Sequence, residues 1–225
     1  MRILPCGDEA LLVEVANLRE AEELYGRLRR DPPPGLTDLV PAARTVLIAF
    51  DPAVTGPARL QALLHGMSPA DVTSPADVTS PADVTSPATV TIPVRYDGPD
   101  LVDLARLTGL SPAQIIERHL RGRHRVAFCG FAPGFAYIAG LDPGLRVARR
   151  DSPRTRVPAG AVAIADEFSG VYPRASPGGW HLIGRTDLAV FDLTRNPPAL
   201  LVPGTPVRFV AVGGAAVGGA AVAWA

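Results

Sequence analysis

The chain has 225 residues and 22 basic side chains, every one of them arginine. Without lysine there is no Schiff-base amine, no lysine general base and no Walker-A phosphate loop. The 22 acidic residues bring the formal net charge to zero, which argues against a nucleic-acid binder, and 47% hydrophobic residues supply a core for one large or two small domains.

The N-terminus reaches Asp8 and Glu9 too early for a signal peptide. Ala10–Val15 reads as a strand. Asn17 then caps a helix, with Glu20 at the capping-box position and Leu18, Ala21, Leu24, Tyr25 and Leu28 on one apolar face. After the Pro32–Gly35 break come two strands, Leu36–Val40 and Thr45–Phe50, and a short helix over Pro57–Leu64. This order suits a split βαβ, ferredoxin-like domain over residues 1–67 whose last strand comes from Ala88–Arg95. His65 reads as a helix-end cation. Three SPADVT hexapeptides from Ser68 and a fourth copy, SPATVT, ending at Thr91 follow. A six-residue period also fits a β-helix rung, but each copy carries a single Val and a donor-less Pro, so a linker over 68–91 is the reading taken.

Residues 92–225 open with the strand Val90–Tyr96. Asp100 caps a helix over Leu101–Leu107, and Ser111 caps Pro112–Leu120 with Pro at the first helical position. From Arg125 onward short apolar runs recur between Gly and Pro turns: 126–128, 145–147, 161–164, 171–172, 181–183, 188–191 and 207–210. That spacing predicts an antiparallel barrel, and the fold class is α+β. The uncharged stretch Phe209–Trp224 is mostly Gly and Ala, too weakly apolar for a spanning helix, so a soluble cytoplasmic protein is expected.

Three rigid turns lie between Phe128 and Phe191: Gly130–Phe135, Val157–Gly160 and Ser176–Trp180. Phe131, Phe135, Tyr137, Tyr172 and Trp180 interleave with them as an apolar wall. Both a recognition surface and ordinary barrel corners fit this composition. Arginines gather over Arg149–Arg156; Arg149 and Arg150 read as solvated, whereas Arg154 and Arg185 sit among Pro, Gly and Thr and suit a carboxylate. Cys6 and Cys129 have no metal-ligand spacing, Cys129 reads as a buried thiol, and Asp166–Glu167 as a solvated turn. No G-x-S-x-G elbow or paired-histidine metal site occurs, and His181 is the lone histidine of the motif-rich stretch.

Gly130-Phe-Ala-Pro-Gly-Phe-Ala-Tyr137, Ser152-Pro-Arg-Thr-Arg-Val-Pro-Ala-Gly160, Tyr172-Pro and Ser176-Pro-Gly-Gly-Trp-His-Leu-Ile-Gly-Arg-Thr186 resemble the signature of one family. It contains the B subunit of 5-oxoprolinase, the small subunit of allophanate hydrolase and the sporulation histidine-kinase inhibitor (carboxyltransferase domain, subdomain C and D). Gly7–Val13, Phe50-Asp-Pro52, Ile92–Leu101 and His119 fall in the same order. The resemblance implies a small α/β N-terminal domain and a cyclophilin-like β-barrel, paired with a homologous larger barrel subunit (the C subunit). In 5-oxoprolinase a lactam-utilisation subunit (the A subunit) completes an assembly that uses ATP to convert 5-oxo-L-proline to L-glutamate. ATP is then used by the complex rather than bound by this chain alone, with no metal or biotin on the chain and no nucleic-acid or membrane partner. The alternatives within the family are kinase inhibition and allophanate hydrolysis.

Catalytic residues are not assigned by the resemblance. Arg154, Arg185, His181 and Tyr172 are the substrate-binding candidates. Phe131, Pro133, Gly134, Pro158, Gly160, Pro177, Gly178, Gly179, Trp180 and Thr186 are the motif positions expected to shape the site. His124 stands where the family usually has Tyr, and Thr205 where it usually has Asp.

Overall fold

The computed structural model describes residues 1–66 and 88–213; the SPADVT array through residue 87 and the tail from residue 214 lie outside the described residues. The chain divides into two units, Met1–Ser86 and Pro87–Ala225.

In the first unit the strands are β1 (Arg2–Pro5), β2 (Ala10–Glu14), β3 (Leu36–Pro41) and β4 (Thr45–Phe50), with helices α1 (Leu18–Arg30) and α2 (Pro57–Gly66). Strict alternation in β2 and β4 turns Leu11, Val13, Val46, Ile48 and Phe50 to one face, where Ala21, Leu24 and Leu28 of α1 and Leu60 and Leu64 of α2 cover them. Asn17 caps α1 by accepting the Glu20 N–H at 3.0 Å. Glu20 reaches back one residue further than a capping box requires, to the Ala16 N–H at 2.9 Å. His65 at the end of α2 stays local, with Nδ1 2.8 Å from the Gln61 carbonyl.

The antiparallel sheet has the order β1-β2-β4-β3. The expectation that Ala88–Arg95 supplies its last strand is overturned. The place beside β2 is taken by β1, in register from Arg2↔Glu14 to Pro5↔Leu11. Four residues ending in Pro5 are too few to show a strand period in the sequence. The segment expected there, β5 (Val90–Val94), instead pairs in parallel with β13 (Pro206–Ala211) in the second unit. Ile92 and Val94 are fully buried in that unit's core.

The second unit is a seven-stranded sheet. Besides β5 and β13 it contains β6 (His124–Cys129), β7 (Ala136–Ala139), β9 (Ala161–Ala165), β10 (Phe168–Val171) and β12 (His181–Arg185), in the order β12-β9-β10-β7-β6-β13-β5. The ends meet: the Arg95 N–H donates to the Arg185 carbonyl and the Arg185 N–H to the Arg95 carbonyl, both at 2.9 Å. The sheet is thus a nearly closed barrel, with one parallel pair in an otherwise antiparallel ladder. β8 (Arg154–Val157) and β11 (Ser176–Gly178) form a separate two-stranded ribbon.

Two helices, α3 (Leu101–Thr108) and α4 (Pro112–Arg121), precede β6 and contribute Leu101, Leu104, Ile115 and Ile116 to the core. Ser111 and Gln114 make the reciprocal capping box at α4. Two expected strands are not strands. Pro143–Leu145 is a 3₁₀ turn, because Asp142 caps it by accepting the Gly144 N–H at 2.8 Å. Leu188–Phe191 sends Leu188 and Val190 into the core but makes only a Phe191↔Ala199 bridge. Among the described residues no helix is long and apolar enough to cross a membrane.

Candidate functional site

The three motif turns converge on an aromatic cluster. Phe135 packs edge-on against Tyr172 (5.3 Å), Trp180 (5.5 Å) and Tyr137 (5.3 Å), and Tyr137 stacks on Phe128 at 4.3 Å. Phe131 touches Phe135 at 5.3 Å, yet it is 61% exposed and its backbone has a φ of 67°. A non-glycine residue in that region is strained, and the strain is held by the turn: the Ala132 N–H donates to the Gly130 carbonyl and the Phe135 N–H to the Ala132 carbonyl. Pro133 and Gly134 complete this turn, with Gly134 against the Phe191 ring.

At the second turn Pro158 accepts the Ala161 N–H, and Gly160 bonds both ways, to the Tyr172 carbonyl and from the Thr186 N–H. Gly160 has a φ of +76°, and a Cβ there would run into the Thr186 carbonyl, so the turn admits no side chain. Thr186 is buried and its hydroxyl accepts the Leu188 N–H at 3.1 Å. In the third motif, Pro177 and Gly178 belong to β11, and a Cβ on Gly178 would meet the Tyr172 hydroxyl. Gly179 accepts the Arg150 N–H, and Trp180 is buried. Burial pushes the Tyr172 phenol up to about 12, with Arg149 and Arg154 pulling the other way.

The charged part of the site is organised by a residue the sequence presents only as a helix cap. Asp100 stands at the N-terminus of α3 but makes no side-chain cap. Its carboxylate is instead the hub of a buried cluster. Arg154 donates to both oxygens, Nη1 to Oδ2 at 2.9 Å and Nη2 to Oδ1 at 2.7 Å. Arg150 Nη1 donates to Oδ1 at 2.9 Å, and the Leu182 N–H to Oδ2 at 2.7 Å. Four donors on one carboxylate fill its lone pairs. The solvated reading of Arg150 is therefore corrected: Asp100 holds it. Arg149 stays outward, 3.6 Å from Asp166.

Arg185 lies on β12 at the barrel seam, with Nη2 2.8 Å from Asp97, while the neighbouring Arg95 faces Asp187 at 3.3 Å. Arg154 and Arg185 each do meet a carboxylate, but the carboxylates belong to the protein and are different ones. His181 is buried, and its Nε2 lies 3.0 Å from the Ala148 carbonyl. A carbonyl only accepts, so Nε2 carries a hydrogen. His181 borders a cavity of about 380 Å³ together with Asp103, Arg106, Leu107, Arg150, Asp151 and Ser152.

A second polar constellation sits inside the barrel. Ser169 Oγ is 3.0 Å from His119 Nε2, and His119 Nδ1 is 2.8 Å from Tyr96 Oη. This has the connectivity of a nucleophile, a base and an orienting group. Ser169 and His119 are fully buried, however, so no substrate reaches the hydroxyl, and the network is structural. His124 extends it, with Nε2 2.7 Å from the His119 carbonyl. Burial lowers the pKa of both rings, and for His119 the charge of His124 adds to it. Cys129 is half-buried, its thiol pKa raised by burial and its Sγ 3.5 Å from the Leu201 carbonyl. Among the described residues no group of His, Cys, Asp and Glu is placed to hold a metal ion.

These motifs and this fold are shared. The carboxyltransferase domain, subdomain C and D, matches residues 1–201. The chain belongs to this family. Within it, the 5-oxoprolinase B subunit of Bacillus subtilis (strain 168) is 46% identical over 115 residues, 51% of this chain and 48% of the relative. The 5-oxoprolinase B subunit of Escherichia coli O157:H7 is 50% identical over 113 residues, 50% of this chain and 52% of the relative. The matched segment spans about half the length of these curated relatives.

Among solved structures, TTHA0988 superposes with a TM-score of 0.70 at 39% identity, covering 91% of this chain and 40% of that longer one. The conserved uncharacterized protein PH0987 from Pyrococcus horikoshii has 34% identity and a TM-score of 0.54, covering 95% of this chain and 98% of that one. The Kluyveromyces lactis urea amidolyase, at 19% identity and a TM-score of 0.66 over 93% of this chain and 15% of that one, shares the fold.

Proposed function

We propose that this chain is the B subunit of an ATP-dependent 5-oxoprolinase, a cytoplasmic assembly that opens the lactam of 5-oxo-L-proline to give L-glutamate. The observation that carries the reading is the 46% and 50% identity to two proteins named as 5-oxoprolinase B subunits. The chemistry of the chain supports a non-autonomous role. The Ser169–His119 pairing in the barrel is sealed, and Arg154 and Arg185 face internal carboxylates. A lysine-free chain offers no Walker-A amine, which fits a subunit whose ATP-dependent step is completed by its partners. Its partners in this reading are the larger homologous barrel subunit (the C subunit) and the lactam-utilisation subunit (the A subunit).

The test is reconstitution. The purified chain alone is expected to release no glutamate from 5-oxoproline. ATP-dependent release is expected on mixing with the two partner subunits. Full turnover by the isolated chain, or none by the complete mixture, overturns the reading.

A further inference from the structure

The helices of the first unit cover one face of its sheet. Alternation turns Ala10, Leu12 and Glu14 of β2 and Thr45, Leu47 and Ala49 of β4 to the other face. The register carries that face across all four strands: Leu4 pairs with Leu12, Leu12 with Leu47, and Leu47 with Val40. Cross-strand partners point the same way, so three leucines and a valine form a row from one edge of the sheet to the other. None of the four belongs to the core beneath α1 and α2. Leu4, Leu12 and Leu47 are half-buried, and Val40 is 42% exposed. An unbroken apolar row in contact with water is a surface that gains by association.

Charge flanks this row unevenly. At the strand ends beside the β1–β2 turn stand Asp8, Glu9 and Asp38, all exposed and without an ion-pair partner among the described residues. Asp8 and Glu9 line, with Ala10, Thr37 and Ala49, a cavity of about 440 Å³. At the opposite strand ends stand Arg2 and Arg44, both exposed. Arg2 lies 2.6 Å from Glu14, and Arg44 Nε donates to the Val15 carbonyl at 3.4 Å. One end of the face is therefore acidic, and the other carries an excess of positive charge.

We infer that this face pairs two copies of the chain, row on row, about a two-fold axis that runs across the strands. Two such axes in the plane of the face stack the row on itself. An axis along the strands sets the acidic end on the acidic end of the second copy. The axis across the strands reverses one copy against the other, and lays the Arg2 and Arg44 end over Asp8, Glu9 and Asp38 twice. Opposite charges select this arrangement, and like charges oppose the first. Arg2 then stands over the cavity beside Asp8 and Glu9 of the second copy, and Val40 over its own counterpart. Four strands about 4.8 Å apart and five residues long give roughly 300 Å² of face per copy, less than the about 800 Å² per partner of a stable complex. The dimer is therefore a reversible one, and it stands independently of the oxoprolinase reading.

Sedimentation velocity of the full chain from about 10 μM to about 1 mM tests the pairing. Monomer at the low end and dimer at the high end are expected, with the dimer weakened by added NaCl. Val40→Glu sets two carboxylates against each other across the axis, and Arg2→Glu replaces attraction to the acidic end by repulsion. Each is expected to weaken the dimer by about tenfold or more. Adding Asp8→Arg and Glu9→Arg to the Arg2→Glu chain is expected to restore it. Val40 and Arg2 are exposed, so both variants keep the fold. A monomer throughout, or a dimer that neither variant nor salt weakens, overturns the inference. A dimer weakened by Val40→Glu, but not by Arg2→Glu or salt, overturns the axis. A chain that stays monomeric, while Val40→Glu abolishes co-purification with the larger barrel subunit, gives the face to that subunit and overturns self-pairing.

Discussion

Asp100 sits between two guanidinium groups with its side chain only 2% exposed, while Arg150 and Arg154 are 27% and 26% exposed. Removing one partner from a buried ion cluster leaves the others uncompensated, which costs more than the cluster contributes when whole. Asp100→Ala is accordingly expected to destabilise the protein by about 3–5 kcal/mol. Equilibrium urea denaturation measures it, and a loss below about 1 kcal/mol, the range of exposed ion pairs, would show that the cluster is solvated. Of the two arginines in this cluster Arg154 was legible in the sequence, because Arg-Thr-Arg beside Pro is a local pattern, whereas Arg150 read as solvated. Their partner was not legible. Asp100 lies 50 and 54 residues from Arg150 and Arg154, and an aspartate before an apolar helical run reads equally well as a cap. The Tyr96–His119–Ser169 network is hidden for the same reason, its links spanning 23 and 50 residues. His181 was found among the motifs, but its cavity needs α3, which carries no motif.

The strand β5 begins within the last copy of the repeat, at Val90, and its place in the barrel decides where the second unit begins. Ile92 is fully buried there, and its Cα partner is Phe209 of β13. Ile92→Ala is expected to cost about 2–5 kcal/mol through lost burial and the cavity left behind. Because β5 pairs within the barrel, hydrogen exchange should accelerate in β6 and β13 while β2 and β4 keep their protection. The opposite pattern would return this strand to the N-terminal sheet. Period and punctuation revealed β2, β3, β4 and the helices α1 to α4, since each is long enough for alternation or a capping signal to show. They did not reveal β1, β7, β8 or β11, which have three or four residues each. They also made strands of two apolar segments, because burial of Leu145 and Val190 looks the same in sequence whether or not a ladder partner is present. Strand partners were the larger gap: parallel pairing of β5 with β13 joins residues more than a hundred apart, and no local pattern encodes that.

For the whole molecule, opposite charges balance at neutral pH, so its acid response is governed less by net repulsion than by groups buried without charge. His119 and His124 are the two that matter first. His119 touches Tyr96, Ser169, His124 and Phe209, and burial holds its pKa well below the ordinary 6.5. His124, lodged against His119 and Phe209, is lowered by burial as well. Once the chain unfolds, both rings regain an ordinary pKa and bind protons that the folded state refuses. Stability from this source is therefore complete above about pH 6.5 and falls as the pH drops toward the folded values, by about 1.4 kcal/mol per pH unit for each ring that stays neutral. Urea denaturation between about pH 7.5 and pH 5.5, above the range in which ordinary carboxylates titrate, isolates the effect. The unfolding free energy should decline steadily over the lower part of that range. His124→Gln retains a donor for the His119 carbonyl but does not titrate, so it should reduce the slope by about half. A flat profile in the parent chain would mean that the rings already bind protons when folded, and an unchanged slope in the variant would place the response on another group.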